Sequence, residues 1–440
     1  MTSFEIGLWS FPALLFLIFL RIPIGLAMFA VGLVGLNLVT DGNTVALAKL
    51  KSETYSTFSS YSLSIVPMFL LMGQFATLGG MSQALFKAAE SWLGHRKGGV
   101  AMAAVGACAG FGAICGSSLA TAATMSQVAL PELRRYGYSG GFSTATLAAG
   151  GTLGILIPPS VILVIYAILT EQNIAKLFLA AFIPGILAAI GYMITISIYV
   201  RLNPKSAGTR PPVPMAERWR ALVDVWPVML VFFAVVGGIY LGWFTPTEGA
   251  AVGALGTGLI ALFNGGLRGR AWLDSFYATA KSTAMIFFIV LGAGFYNSFL
   301  ALTQVPQELS RWVVEQGFSA WTVMMIILVL YLVFGCLMDS LSMILLTIPI
   351  FFPIVSSMDF GMSAEEFAIW FGIIVLIVVE VGLITPPVGM NLFVINSMDR
   401  ETPISKTYGA VMYFVGSDIV RVGLLLLFPG ITLGLLRLFH

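Results

Sequence analysis

The chain is expected to be an all-α polytopic membrane protein made of two inverted repeats, each holding a re-entrant helical hairpin and a helix broken at a Pro-Pro pair. Three observations predict this. Of 440 residues, 58% are hydrophobic and only 10% charged, outside the range of soluble domains. Two apolar runs long enough to cross a bilayer are interrupted by Gly151-Thr-Leu-Gly-Ile-Leu-Ile-Pro-Pro-Ser160 and Val381-Gly-Leu-Ile-Thr-Pro-Pro-Val-Gly-Met-Asn391. Paired prolines remove amide donors and clash with a continuing helix. Finally, landmarks recur at a nearly constant offset: Pro23 and Pro246 differ by 223, Gly73 and Gly294 by 221, Ser117 and Asp339 by 222, Pro131 and Pro353 by 222, Pro158 and Pro386 by 228. A repeat of that length is a structural unit.

In chain order, runs at about 5–20, 22–40 and 60–80 read as helices, with 41–59 as a polar interfacial arm. The first run has no basic leader, so an uncleaved helix is expected rather than a signal peptide. Residues 98–133 lie between His95-Arg-Lys97 and Arg134-Arg135. From Ser118 to Pro131 there is room for roughly 20 Å of helix, against about 30 Å for a crossing. This predicts a re-entrant hairpin. The first broken span is 141–170, a helix follows at 176–200, and 201–223 is a basic loop. The second half repeats the order: helices at about 224–244 and 246–264, a run at 273–300, hairpin 319–357, broken span 367–398, and a last helix at 409–436. The first repeat is thus 1–223, with scaffold helices in about 1–80, and the second 224–440, with scaffold helices in about 224–300.

Charge placement orients the halves. Hairpin one is flanked by Arg96, Lys97, Arg134 and Arg135, hairpin two is followed by Asp359, Glu365 and Glu366, and cytoplasmic loops are enriched in Lys and Arg. The hairpins are expected to enter from opposite faces. Ten full spans then place the 201–220 cluster inside, leave Lys49, Lys51, Lys176, Arg311 and Arg437 outside, and put both termini outside. Inverted repeats with broken helices are the arrangement of alternating-access carriers.

Broken backbone persists in lipid only where protein, water or an ion satisfies it. Each hairpin tip is expected to face a break, giving an oxygen-rich nest suited to a small hard cation such as sodium, with helix N-termini nearby for an anion. In the first half the candidates are Gly116, Ser117 and Ser118 facing Gly154, Ile157 and Pro158. In the second they are Met338, Asp339 and Ser340 facing Gly382, Thr385 and Val388. The alternative is that these small residues only allow close helix packing. Asp339, an ionisable group at mid-membrane, is read first as part of a substrate site, then as a proton-coupling group, then as a partner of hairpin-tip amides. Glu380 either braces the scaffold or binds. Glu248 after Thr245-Pro246 reads as a helix-start carboxylate, and Asp418 and Arg421, three apart on one helix, as a pair.

Other chemistries lack their parts. The histidines are His95 in a loop and His440 at the terminus, so a His-based dyad, haem ligation or a histidine zinc site has no intramembrane imidazole. Cys108, Cys115 and Cys336 lie in apolar runs without ligand or disulfide spacing. The net charge of +2, with no basic run, gives no support for nucleic-acid binding. There is no Walker-type loop. The energy source is expected to be an ion gradient, with no organic cofactor.

The strings Phe111-Gly-Ala-Ile-Cys-Gly-Ser-Ser-Leu-Ala-Thr121, Gly154-Ile-Leu-Ile-Pro-Pro-Ser160, Thr245-Pro-Thr-Glu-Gly-Ala-Ala251, Gly335-Cys-Leu-Met-Asp339 and Gly382-Leu-Ile-Thr-Pro-Pro-Val-Gly-Met-Asn391 together resemble the large membrane subunit (DctM type) of tripartite ATP-independent periplasmic (TRAP) transporters. The resemblance implies a bacterial inner-membrane secondary transporter with an elevator-type fold. It also implies sodium-coupled uptake of a small organic acid. The implied partners are a separate small four-helix membrane subunit (DctQ type) and a soluble periplasmic binding protein (DctP type). Sodium would fall on the tips and breaks named above, and substrate on Ser117, Ser160 and Asp339. The chain departs from many relatives at Cys115, where they carry Ser. The alternative within transport is a stand-alone sodium/dicarboxylate symporter needing no binding protein; an intramembrane hydrolase and a channel are the readings from other classes.

Overall fold

The computed structural model describes residues 2–40 and 42–439; His440 lies outside the described residues. All regular structure among them is helical. The first half runs α1 (Ser3–Phe19), α2 (Ile24–Val39), α3 (Asn43–Phe58), α4 (Ile65–Leu78), α5 (Met81–Leu93), α6 (Gly99–Cys115), α7 (Ser118–Arg135), α8 (Gly140–Leu156), α9 (Val161–Leu169) and α10 (Ile174–Leu202). After α11 (Met215–Val223), the second half runs α12 (Trp226–Phe232), a π-helical turn, α13 (Gly238–Tyr240), α14 (Pro246–Phe263), α15 (Arg270–Thr303), α16 (Val305–Glu315), α17 (Ala320–Gly335), α18 (Ser340–Ser356), α19 (Ala364–Gly382), α20 (Met390–Met398), α21 (Ile404–Leu427) and α22 (Gly430–Phe439). From α2 to α10 each helix has a counterpart in the same order from α14 to α21, with α15 one straight-through helix where α3 and α4 meet at a 52° bend.

Five helices are long and apolar enough to cross a membrane: Ile174–Leu202, Met215–Tyr240, Pro246–Phe263, Arg270–Thr303 and Ile404–Leu427. Two bent pairs, α3 with α4 and α8 with α9, can each form one further span. The α14 start is set as its sequence requires: Thr245 Oγ1 accepts from the Glu248 amide at 3.3 Å, and the Glu248 carboxylate accepts from the Thr245 amide at 2.8 Å. This reciprocal cap satisfies two amides that the helix cannot.

Both hairpins return to the side they start from. The Tyr138 hydroxyl, just past α7, accepts from the Val100 amide at the start of α6, 3.2 Å. Likewise Trp321 at the start of α17 packs edge-on against Phe360, beyond α18, at 5.7 Å between rings. Gly116 makes the first turn with φ +63°, a left-handed conformation that L side chains resist.

The structure corrects several boundaries. The first hairpin, expected to end at 133, runs to Arg135, and α7 continues through Pro131 at the cost of one helical hydrogen bond. The run at 224–244 begins earlier, at Met215, and contains the π-turn at 233–237. The basic loop is therefore part helix. The last apolar run is split at Phe428-Pro429 into α21 and α22, Pro429 lacking the amide needed to continue. Two amphipathic helices, α5 and α16, precede the hairpins where no element was expected.

Side chains pack around two main cores. One joins α1, α2, α15 and α16 through Leu14, Met28, Phe295, Phe299 and Val305, and takes in Leu346 and Ile350 from the outer face of α18. The larger one unites the hairpins, the broken helices and α10. Within it the two halves are stitched at separate points. Arg134 at the end of α7 pairs with buried Asp399 just past α20, Lys176 pairs with Glu365 at 2.6 Å, and the Tyr166 hydroxyl donates to the Ala368 carbonyl at 2.6 Å.

Candidate functional site

Each broken helix meets a hairpin through glycine against glycine. A Cβ on Gly112 would lie 2.4 Å from the Gly154 Cα, and one on Gly382 would lie 2.6 Å from the Gly335 Cα. No side chain fits at such a contact, so backbone touches backbone. The close packing first weighed against a site is what brings the tip's oxygens to the break.

In the first half, a Cβ on Gly154 would stand 2.8 Å from the Ser117 carbonyl oxygen, and one on Gly116 3.3 Å from the Pro159 oxygen. The structure thus brings Gly116 and Ser117 against the break at Gly154 and Pro159, and the Ser118 carbonyl within 3.2 Å of a Cβ on Gly151. Ile157 leaves helical geometry with ψ 118°, and Pro158-Pro159 is cis. Residues 151–160 are buried throughout. Ser117 caps α7 by accepting from the Ala120 amide at 3.4 Å, and Ser160 caps α9 by accepting from Leu163 at 3.4 Å. Thr121, which the sequence reading passed over, lies against Gly154 with its Oγ1 buried.

In the second half the tip and break are joined by the Gly389 amide donating to the Cys336 carbonyl at 3.3 Å. Pro386-Pro387 is also cis. Asp339 occupies the position equivalent to Ser117 and caps α18, its Oδ2 accepting from the Ser342 amide at 3.0 Å. Of its three readings, the contact with tip amides is the one seen; the carboxylate is half-buried and keeps acceptor capacity for another partner. Thr385 donates to the Val381 carbonyl at 2.6 Å, leaving its oxygen lone pairs free toward the break. The Val388 carbonyl accepts from Tyr408 at 3.3 Å, and Pro387 accepts from the same hydroxyl at 2.7 Å. Ser340 does not face this break: its hydroxyl donates to Glu380 Oε1 at 2.5 Å. Met338 is half-buried at the tip.

The expected pair of Asp418 and Arg421 forms, at 2.8 Å, and Tyr192 donates to Asp418 while bonding Thr152. Sequence reasoning missed Tyr408 and Asn391. The Asn391 side chain donates to the Ala148 carbonyl at 3.3 Å, tying the second break to the first broken helix. A buried amide straight after a Pro-Pro break was the available signal.

The resident oxygens of the first nest are neutral carbonyls and hydroxyls, and the second adds the Asp339 carboxylate beside its carbonyls, donor sets that suit a hard cation. The N-termini of α7, α9 and α18 supply free amides for an anion.

The chain matches the family model described as "Tripartite ATP-independent periplasmic transporter, DctM component" over residues 11–431. It is 36% identical over 393 residues to the C4-dicarboxylate TRAP transporter large permease protein DctM of Pseudomonas aeruginosa, covering 89% of this chain and 90% of that one. It is 29% identical to the sialic acid TRAP transporter large permease protein SiaM of Vibrio cholerae, covering 96% of each. It is 30% identical to the isethionate TRAP transporter permease protein DctMQ of Oleidesulfovibrio alaskensis, covering 89% of this chain and 60% of that one. Among solved structures, the fold is similar to that of the YdaH transporter of Alcanivorax borkumensis, with TM-score 0.65, 14% identity, and coverage of 88% of this chain and 89% of that one. With the matched region spanning both hairpins and both breaks, the chain belongs to the DctM family of TRAP transporter large permease subunits, multi-pass membrane proteins rather than enzymes.

Proposed function

We propose that this subunit carries a small organic acid across the bacterial inner membrane by sodium-coupled symport. The acid would be delivered by a periplasmic binding protein, with a small four-helix membrane subunit alongside. The observation that supports this most is the pair of nests, in which a hairpin tip presses backbone to backbone on a Pro-Pro break through Gly112–Gly154 and Gly335–Gly382. Sodium would be held in the first nest by backbone oxygens of Gly116, Ser117, Gly154, Ile157 and Pro158, with the buried Thr121 hydroxyl beside Gly154 compensating for the thiol at Cys115. In the second it would be held by Met338, Gly382, Thr385 and Val388. The acid's carboxylate would meet the amides at the starts of α7 and α9 and the hydroxyls of Ser117 and Ser160. Asp339 would accept from a hydroxyl or amide on the substrate. The seam between α18 and the α1–α2–α15 core is where hairpins and broken helices would slide in an elevator movement. The excess of Lys and Arg in 201–220 supports that segment as cytoplasmic and both termini as periplasmic.

The relatives' names span C4-dicarboxylates, isethionate and sialic acid, all small organic acids, and a C4-dicarboxylate is the first substrate to try. The test is uptake into proteoliposomes holding both membrane subunits, with the binding protein and labelled acid outside. Uptake is expected only with an inward sodium gradient and the receptor. Full-rate uptake without sodium would end the coupling assignment, and full-rate uptake without receptor would favour the stand-alone symporter.

A further inference from the structure

The end of α8 meets the first hairpin through glycines. A Cβ on Gly150 would lie 2.8 Å from Cys108 Sγ, one on Gly151 2.6 Å from the Ala122 Cβ, and one on Gly154 2.4 Å from Thr121 Oγ1. Glycine sets how closely two backbones approach, but with no side chain to interlock it does little to stop one sliding or turning against the other. A hydrogen bond is directional and can. One acts on this turn from behind. Thr152 Oγ1 lies 3.0 Å from the Tyr192 hydroxyl on α10. Tyr192 donates its proton to Asp418 Oδ2 at 2.9 Å, so its oxygen is the acceptor toward Thr152. Arg421 holds the other carboxylate oxygen at 2.8 Å and stands 5.7 Å from the centre of the Tyr192 ring, while Phe414 packs edge-on against that ring at 5.6 Å. All four polar residues are buried, and the charged two belong to a helix long and apolar enough to cross the membrane. Burying an ion pair costs desolvation that its attraction scarcely offsets, and fixing register is the best-attested use of such a pair. The offset of 228 that relates Gly154 to Gly382 makes Glu380 the equivalent of Thr152. Glu380 is held by Ser340 of its own hairpin at 2.5 Å, so this position is held from the tip in the second half and from α10 in the first.

We infer that Tyr192 is a positioning residue for transport. Clamped to α21 by Asp418 and Arg421, it holds Thr152, and with it the last turn of α8, in register with the first hairpin tip. Gly154, two residues on, and Ile157, where the helix ends, thereby keep their spacing to Ser117. The consequence for ion binding rests on the sodium-coupled reading above.

Two variants cut the link at either end. Tyr192→Phe keeps the ring and its contacts and removes the hydroxyl; Thr152→Val leaves Tyr192 on Asp418. In hydrogen–deuterium exchange on the purified two-subunit membrane complex, each is expected to raise exchange over 150–157 roughly 5-fold, the scale of one hydrogen bond, and to leave 380–391 unchanged, local opening being the step that exchange reads. The double variant should go no further than Tyr192→Phe alone, because both substitutions remove the same contact. Effects that multiply, a rise at both breaks or a rise at neither overturns the inference. In proteoliposomes both variants should raise half-saturating sodium several-fold at a near wild-type maximal rate. A lower maximal rate with an unchanged sodium titration would reduce Tyr192 to a residue of general stability and overturn its positioning role. Wild-type uptake indifferent to sodium would instead remove the coupling reading, and the exchange result would still decide the brace.

Discussion

The two Pro-Pro breaks are built from matching parts and differ in access. Around the first, every residue from 151 to 160 is buried, and the cap on the facing helix is a neutral serine. Around the second, Thr385, Pro386 and Val388 are half-buried, Pro387 is exposed, and the cap is the carboxylate of Asp339. A repeat can thus conserve backbone geometry while its two copies diverge in charge and exposure. The sealed copy is suited to holding something fixed. The open copy is suited to exchanging it.

The largest effect that would sharpen this contrast is expected from Asp339. Asp339→Ala should lower receptor-dependent uptake at least about 100-fold with the complex intact, whereas Ser117→Ala, its equivalent, should lower it about 5- to 10-fold, near the loss of one helix cap. Asp339→Ser separates the roles: it keeps a cap and removes the charge, and uptake restored by that variant would reduce Asp339 to a capping residue. Next come the glycine contacts. Gly154→Ala places a methyl 2.4 Å from Thr121 Oγ1, and Gly382→Ala places one 2.6 Å from Gly335; each should cost about 1–3 kcal/mol of stability. Melting of the purified complex should show the greater loss for Gly382, because its methyl meets only the backbone of Gly335 and Cys336, whereas that of Gly154 first meets a side-chain hydroxyl that can rotate. Equal losses would argue that the two breaks are mechanically alike. Thr385→Val, which keeps the volume and removes the oxygen, should raise half-saturating sodium several-fold, on the scale of one lost ligand of about 1 kcal/mol, and an unchanged titration would take Thr385 out of the ion site. The smallest effect is expected from Ser160→Ala, about 0.5–2 kcal/mol through the α9 cap, read as a lower melting temperature.

Much of this arrangement was legible in the sequence because prolines and charges act locally. The breaks follow from missing amides, the hairpins from short runs between basic or acidic ends, and the Thr245–Glu248 cap from four adjacent residues. What escaped depends on distance in the chain. Whether Glu380 braces or binds turns on Ser340, 40 residues away, whose hydroxyl donates to it. The helix over Met215–Val223 is sustained by packing that overrides the local signal: Trp92 donates to the Arg218 carbonyl at 3.3 Å and packs edge-on against Trp219. Likewise, Arg210 meets buried Glu90 at 2.9 Å, drawing the linker onto α5. Burial raises the Glu90 carboxyl above its ordinary range while Arg210 pulls it back.

The ties from Arg134 to Asp399 and from Lys176 to Glu365 join the first half's hairpin and long helix to the second half's broken helix. Together with the shared core, these ties favour the two halves moving as one block that carries both pockets. Under the transport proposed above, ions and acid would then share one vehicle, and a half-filled vehicle would have no way to send part of itself across.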